Sequence, residues 1–540
     1  MTRSTHARRP GAAAALCAGL VLLASCASDG GGGGGGQAAP PAGEPAVTEA
    51  TVIGQPGNAG EPRTGGTLTL AGYSMPSSLD PTKTQATGPT GGTEMASIYS
   101  LLVRYDDAAG KYVPQLAESL DESGDRLTWT LGLRDDVTFS DGTPLDAAAV
   151  IASINRYNAE GGANSRQFST AVTGMDAPDP HTVVFHLEQP WREFPALLTY
   201  GHGMIVAPAS YADPANFTPI GAGPYVVGDF APATSLTVTA RPDYWDGKPY
   251  LSSVKFVDIA GDQPRLDALN AGGVQMVFLR AGEQIAAAKE DFGGYIFPLS
   301  LMDIIQINNR DGRPGANQHV RKAIALALDP DSFVERAQAG VGSAGKALFE
   351  DWSTWHPDVA PLPTDAEAAR AELKQAKADG FDGHLRYVGL SGPSSQKTAL
   401  WAQSMLNNVG FDVEIQYASS VTDLVKRMYI DHDFDITYGG NGTTEAAPVL
   451  RLDAALNSTS KNNLLGYASP AMDKLLAQAK QADSDDEVRT ALGKIQQQVN
   501  DDVPYVPLGA GAEFVAWSSD VHGAVASPDG IMLLGNTWIG

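Results

Sequence analysis

The chain has 540 residues, 43% of them hydrophobic, with 37 Lys and Arg against 62 Asp and Glu and a formal net charge of −25. Such an acidic surface repels phosphate backbones and excludes nucleic acid as a partner. Only Cys17 and Cys26 are present, so no disulfide framework or Cys-based zinc site can form beyond residue 26.

Residues 1–25 read as a secretory leader. Arg3, Arg8 and Arg9 make a basic start, and residues 12–24 form an apolar run broken only by Gly19. That run is short for a bilayer span, which takes about 17–25 residues. "LASC", ending at Cys26, resembles a bacterial lipobox, which implies lipidation of Cys26 and an extracytoplasmic protein anchored to the cell membrane by lipid. Ordinary cleavage near Ala27 is the competing reading. Removing the leader takes away three arginines and no acids, leaving 34 basic against 62 acidic residues, or −28. Residues 26–63, rich in Gly, Ala and Pro, are expected to be a flexible linker with a root-mean-square span of roughly 35 Å.

Ordered structure is expected from residue 65, and its length calls for two or three subdomains. "GGTLTLAG" alternates Leu68 and Leu70 with threonines, as a half-buried strand does. "RLTWTLGLR" sets Leu127, Trp129, Leu131 and Leu133 on one face, and the turn residues Asp141, Gly142 and Pro144 follow, predicting antiparallel strands. "DAAAVIASINRYN" has a helical period with Asp146 or Thr143 as its cap, "HTVVFHL" is a strand, and Gly221 and Gly223 allow a tight bend in "GAGPY". Residues 254–279 read as strand, helix, strand, a right-handed parallel crossover. Beyond residue 303 comes a helix around "HVRKAIALAL". The strands "HLRYVGL", "FDVEIQY" and "FDITYGG" then alternate with the helices "KTALWAQSMLNNVG" and "VTDLVKRMYI". Two amphipathic helices near 470–481 and 485–500 lead into "VPYVPLG" and a last strand around 514–517. The fold class is α/β, in two lobes, one carrying an antiparallel insertion.

The stretches "GGTLTLA", "SLDPTKT", "VPQLAESL", "LTWTLGLRDDVTFSDGTPLDAAAV", "GAGPYVV", "HVRKAIALALDPDSFV" and the run from "GYASPAMDKLL" to "VPYVPL" occur in one order from about residue 65 to 508. Together they resemble the bacterial extracellular solute-binding proteins of family 5, the peptide- and nickel-type receptors of ABC transporters. The resemblance implies a periplasmic-binding-protein-like clamp of type II with three subdomains, closing about a hinge. The first lobe would comprise 64–103, 218–301 and 507–540, with an inserted antiparallel subdomain at 104–217. The second lobe would be 302–506, with hinges at 304–309 and 504–508. It further implies a monomeric binding protein, not an enzyme, with no cofactor. That protein captures a small solute, peptide or peptide-like before others, and delivers it to ABC permease transmembrane subunits.

Candidate ligand-binding residues follow from position. The loop 437–448, "TYGGNGTTEAAP", leaves a strand at its C-terminal end, where α/β folds place ligands, and contributes Tyr438, Gly439, Gly440, Asn441 and Thr443. In peptide-binding relatives the corresponding loop carries an aspartate that pairs with the ligand's ammonium group. Here Thr443 and Thr444 occupy the neighbourhood and Glu445 is the nearest acid. Either Glu445 takes that role or the ligand has no free amino terminus. Tyr73 and Ser74 follow the first strand, and Thr87 to Glu94 form a Gly-rich loop. Asn308 offers an amide at the expected crossing or serves simply as a hinge residue. Trp352 and Trp355 would stack on a ring or a sugar, and Asn463 precedes "GYASP".

Other conspicuous residues read as structural: Asp141 and Asp146 as turn and cap, Arg321 on a packed helix, Trp245 as packing, and 431–435, "DHDFD", as a solvated turn rather than a cation site. No G-x-S-x-G, H-E-x-x-H or P-loop occurs, and no metal site is expected. The rival readings are a surface sensor or interaction protein on the same scaffold, and a receptor for an oligosaccharide or another non-peptide solute.

Overall fold

Two long apolar runs, "GGYIFPLSLMDIIQI" and "YVPLGAGAEFVAW", form the strands Gly293–Ile307 and Tyr505–Trp517 in the computed structural model, which describes residues 46–54, 60–213 and 216–540. The expected leader, Cys26 and the expected linker up to residue 45 lie outside the described residues. The two strands are buried along almost their whole length, the pattern of strands covered on both faces. They pair antiparallel from Gly293↔Trp517 to Gln306↔Tyr505, at the centre of a twelve-stranded sheet.

On one flank of this pair lie Met276–Leu279, Thr67–Gly72, Ser253–Asp258, Ser235–Ala240 and Tyr225–Ala231; on the other lie Ile436–Gly439, His384–Leu390 and Asp412–Ala418. The crossover expected at 254–279 is present. Ser253–Asp258 and Met276–Leu279 sit on either side of Thr67–Gly72, both parallel to it, joined through the helix Asp262–Asn270. The antiparallel insertion is also present, a four-stranded sheet of Ala117–Glu122, Thr128–Leu133, Thr182–Leu187 and Val172–Asp179. Trp129, Leu131 and Leu133 point from it into the core of the first flank, whereas Leu127, expected on the same face, precedes the strand and is exposed. The second flank has separate cores, one beneath the helices Gln318–Ala327, Ala366–Ala378 and Pro393–Val409, another around Pro470–Gln481 and Asp485–Asp502. Two lobes are therefore built on the two ends of one sheet.

The central pair does not run evenly. Leu299 pairs with Gly511, but the next partner of Gly509 is Asp303, so three residues intervene on one strand against only Ala510 on the other. Leu301 takes a positive φ of 54° within the bulge. There the ladder opens and other segments take the free edges: Ser343 and Ala344 pair with Ala510 and Gly509, and Ser300 bridges Thr443. Gly509 is needed for this approach, because its φ is 153° and a Cβ would lie 1.9 Å from the Ser343 carbonyl oxygen.

The register shifts twice, between Leu299 and Asp303 and again between Asp303 and Ile304, where Leu508 is passed over; Ile304 to Gln306 then pair regularly with Pro507 to Tyr505, within the stretches 304–309 and 504–508 expected as hinges. Two expectations are altered. Residues 46–54 are not flexible linker: Thr51–Ile53 forms a strand on Gly293–Ile307, with Val47 and Ile53 packed against the first-lobe core. A β-branched Thr-Val-Ile trio beside an open strand edge explains this. The run 431–435 is not a solvated turn, since Asp435 is buried and, with Asp433, receives Arg386 at 3.2 and 2.8 Å, while Arg313 and Arg427 add pairs at 3.5 and 3.3 Å to Asp433. Asp141, Asp146, Arg321 and Trp245 have their expected structural roles. Asp141 accepts from Thr143, Asp146 caps the helix Ala147–Ala159, Arg321 donates to backbone carbonyls, and Trp245 stacks under Arg134 at 4.3 Å.

Candidate ligand-binding cleft

The bulge in the central strands forms the floor of a cleft between the lobes. Two cavities meet there, with free volumes of ≈ 960 and ≈ 1230 Å³ including open solvent, and Arg280 and Met302 line both. The first cavity is closed by the loop carrying Thr87, Pro89 and Thr90, by Leu299, by Gly440 and Gly442, and by Leu450, Arg451 and Ala454 of the helix Pro448–Leu456. The second is bounded by Tyr73, Asp303, Gln338, Tyr438 and Ser343, and its rim includes Ala46 and Val47.

Charge is concentrated where the cavities join. Arg280 follows the strand Met276–Leu279, and its Nε lies 2.7 Å from the Glu513 carboxylate. Its guanidinium stands 5.1 Å from the centre of the Tyr73 ring, on which Arg265 also stacks, at 5.3 Å. Asp262 orients this corner: it pairs with Arg265 and accepts from the backbone amides of Arg280, at 2.7 Å, and Ala281. Across the first cavity Arg451 pairs with Asp529 beside the Tyr200 ring. Burial works against the Arg280 charge, yet Glu513, Tyr73 and Asp262 together hold its pKa above the usual value. Burial pushes the Glu513 carboxyl up to about 7 against the pull of Arg280. In the second cavity burial lifts Asp303 to about 6, opposed by hydrogen bonds from the Tyr438 hydroxyl and from Gln338 Nε2 at 3.3 Å. Two guanidiniums and two carboxylates thus face one space whose other walls combine apolar Leu299, Met302, Leu450 and Ala454 with the uncharged polar Gln85, Thr87, Thr90 and Asn164. A solute with both an anionic and a cationic end finds a partner for each here, and apolar surface for what lies between.

The structure distributes the sequence-derived candidates unevenly. Thr87 and Gly440 line the first cavity, and Tyr73 and Tyr438 line the second. Gly440 serves the chain crossing itself, since a Cβ there would lie 2.1 Å from the Met302 carbonyl oxygen. Ser74, Glu94, Gly439, Asn441 and Thr443 are not among the lining residues of either cavity. Ser74 bridges Thr90; Glu94 is buried in the first turn of Gly92–Tyr99, which lifts its carboxyl to about 7; Gly439 packs on Gln306. The Asn441 Nδ2 and Thr443 Oγ1 atoms are buried behind the bulge without a protein partner. Asn308 donates to the carbonyls of His432 and Phe434, and Asn463 to those of Asn457 and Tyr467. Glu445 turns from the cleft: it accepts from Ser353 Oγ at 2.6 Å and the Thr354 amide at 3.1 Å, while Trp355 Nε1 donates to its carbonyl at 2.8 Å. Trp352 and Trp355 belong to this strap and line neither cavity.

Sequence reasoning missed Arg280, Arg451, Glu513 and Asp529, which come from three widely separated regions of the chain. One signal was available. Arg280 stands directly after the C-terminal end of a parallel strand, the same placement that selected Tyr438. Among the described residues no three His, Cys, Asp or Glu side chains are grouped to hold a metal ion, and no helix is long and apolar enough to cross a membrane.

Comparison with known proteins follows the same line. A family model described as bacterial extracellular solute-binding proteins, family 5 Middle, matches residues 111–463. The chain is 26% identical over 449 residues to a probable D,D-dipeptide-binding periplasmic protein, DdpA, of Escherichia coli K12, covering 80% of this chain and 86% of that one. It is 28% identical over 432 residues to the glutathione-binding protein GsiB of Escherichia coli O1:K1, covering 77% and 83%. Among solved structures, a dipeptide binding protein from Pseudoalteromonas sp. SM9913 in complex with Met-Leu superposes with a TM-score of 0.76 at 20% identity, covering 88% of this chain and 100% of that one. The protein AgaA of A. tumefaciens R10 in complex with agropinic acid superposes with a TM-score of 0.75 at 25% identity, covering 88% and 99%.

Proposed function

The chain belongs to the bacterial extracellular solute-binding proteins, family 5, and from that membership and the charges in its cleft we propose a substrate-binding component of an ABC transporter that takes a peptide-like, zwitterionic solute. The observation that carries the solute class is the pairing of Arg280 with Glu513 and of Arg451 with Asp529 in one cleft. An incoming carboxylate exchanges places with Glu513 or Asp529 on a guanidinium, and an incoming ammonium group takes the carboxylate so released. Charge stays balanced while the apolar walls take up the side chains. The solute class supported is a short peptide or an amino-acid conjugate. Relatives named for dipeptides and glutathione are in keeping with this.

The role is binding, with no turnover of the solute. Lobe movement is assigned to the bulge at 299–303 and 509–511, where the central ladder is already open, and release is to the transmembrane subunits of a permease. The protein acts as a monomer held at the membrane by a lipid on Cys26. Native mass spectrometry of protein purified without denaturation tests the reading: a co-purifying mass of peptide size is expected. A co-purifying neutral sugar, or no mass shift together with no response to a di- and tripeptide pool, counts against it. Mass analysis of the membrane fraction tests the anchor, with an acylated Cys26 peptide expected.

A further inference from the structure

The helix Pro448–Leu456 belongs to both lobes at once. Val449, Leu452, Ala455 and Leu456 pack into a second-lobe core, Leu450 packs into the first-lobe core, and Leu450, Arg451 and Ala454 face the ligand cavity. Its own N-terminus supplies no cap: Ala447 makes no capping bond and Pro448 has no amide hydrogen. The cap comes from across the lobe boundary. Glu193, in the inserted subdomain and only 8% exposed, accepts from the Val449 amide through Oε1 at 3.1 Å and from the Leu450 amide through Oε2 at 3.0 Å. Neighbouring contacts join the same two bodies. Gln167 Nε2 donates to the Leu450 carbonyl and to Asp453, at 3.1 and 3.0 Å, and the Tyr112 hydroxyl donates to the Ala446 carbonyl at 2.8 Å.

We propose that Glu193 is a positioning residue for solute binding: by capping this helix from the opposite lobe it fixes Arg451 in the cleft, so that closure and the anion-binding half of the site form together. A carboxylate with one oxygen on each of two successive amides sets both the rotation and the height of the first turn, and Arg451 is the very next residue. When the lobes part, the two amides lose their acceptor and the guanidinium loses its fixed direction. The inserted subdomain is then a jaw whose grip is read directly by the binding site. This inference rests on the reading that the cleft binds a zwitterionic solute.

The test uses Glu193→Ala and the near-isosteric Glu193→Gln in the full chain, with hydrogen exchange over residues 446–456 and calorimetric titration of a di- and tripeptide pool. For Glu193→Ala, exchange at the amides of 449–451 is expected to rise at least tenfold while the helix Ala366–Ala378 is unchanged, and affinity for the pool to fall roughly tenfold through faster release. Glu193→Gln, which keeps one acceptor oxygen, should recover part of both effects. Unchanged exchange at 449–451, or faster exchange with wild-type affinity, overturns the inference. A purely structural role is marked by faster exchange throughout 117–187 with a lowered melting temperature and an unaltered affinity of the folded fraction, and that result also overturns it. Failure of the wild-type protein to bind the pool refutes the solute reading instead, and the exchange arm still decides whether the cap exists.

Discussion

Replacing Arg280 with methionine keeps most of the apolar stem but leaves Glu513, only 2% exposed, without the guanidinium that lies 2.7 Å from it. Removing one partner of a buried ion pair costs about 3–5 kcal/mol when the remaining charge must stay ionised. Glu513 escapes part of that cost by taking a proton, which makes the loss depend on pH. In the wild-type protein burial already holds this carboxyl near 7, above its value of 4.5 in the unfolded chain, so stability falls as pH rises through that window and levels off above 7. Without Arg280 the titration moves higher and the fall continues. The stability gap between wild type and Arg280→Met should therefore widen above pH 7, by about 1.4 kcal/mol per pH unit until the new titration point is reached. Below pH 6 it should shrink to what the stem and the Tyr73 contact contribute. Urea unfolding at half-unit steps from pH 5.5 to 9 measures this, and Arg280→Met/Glu513→Gln should lack the pH dependence that Glu513 contributes and be more stable than Arg280→Met above pH 7, while binding peptide about 10- to 100-fold more weakly than the wild type. A gap that is flat with pH, or a double variant no more stable than Arg280→Met, would refute the assignment of a buried, cleft-facing ion pair.

Gly440→Ala places a methyl group 2.1 Å from the Met302 carbonyl oxygen and should lower the unfolding free energy by about 1–3 kcal/mol, read from the urea midpoint. Burial lifts the carboxyls of Glu94 and Glu193 to about 7, so both lose stability as pH rises from the ordinary carboxylate range to 7. The melting temperature should accordingly be higher at pH 5 than at pH 8, with Glu94→Gln reducing the difference. Protein beginning at residue 60 loses the Thr51–Ile53 pairing and the packing of Val47 and Ile53, and should melt several degrees below protein beginning at residue 46 in differential scanning fluorimetry.

Much of the architecture was legible because it lies in local patterns. The alternation in "RLTWTLGLR", the cap at Asp146 and the helix at Pro470–Gln481 each declare themselves within a dozen residues, and all are present. The central strand Gly293–Ile307 escaped because a run apolar on both faces has no period to read, and its bulge exists only in relation to Tyr505–Trp517, some two hundred positions away. The site was harder still. Tyr73 follows the strand Thr67–Gly72 and Tyr438 lies in the last two residues of Ile436–Gly439, so the position rule reaches both. Glu445 was chosen by closeness to a motif, and Ser353 with Thr354 had already claimed its carboxylate. Arg451 and Asp529 meet only after three segments have folded around the cleft, so nothing near either residue marks it. Glu193, set in "WREFPAL", looks like an ordinary surface acid until the helix it caps is placed over it.

The most direct measurement is calorimetric titration of the intact protein with the best-binding short peptide from a di- and tripeptide pool, beside its N-acetylated and its C-amidated forms. Because each end of a zwitterion is matched by its own charged partner in the cleft, the free peptide should bind, and blocking either end should weaken binding at least tenfold. Equal affinity for all three forms, or tight binding of a neutral oligosaccharide with every peptide inert, would contradict the account.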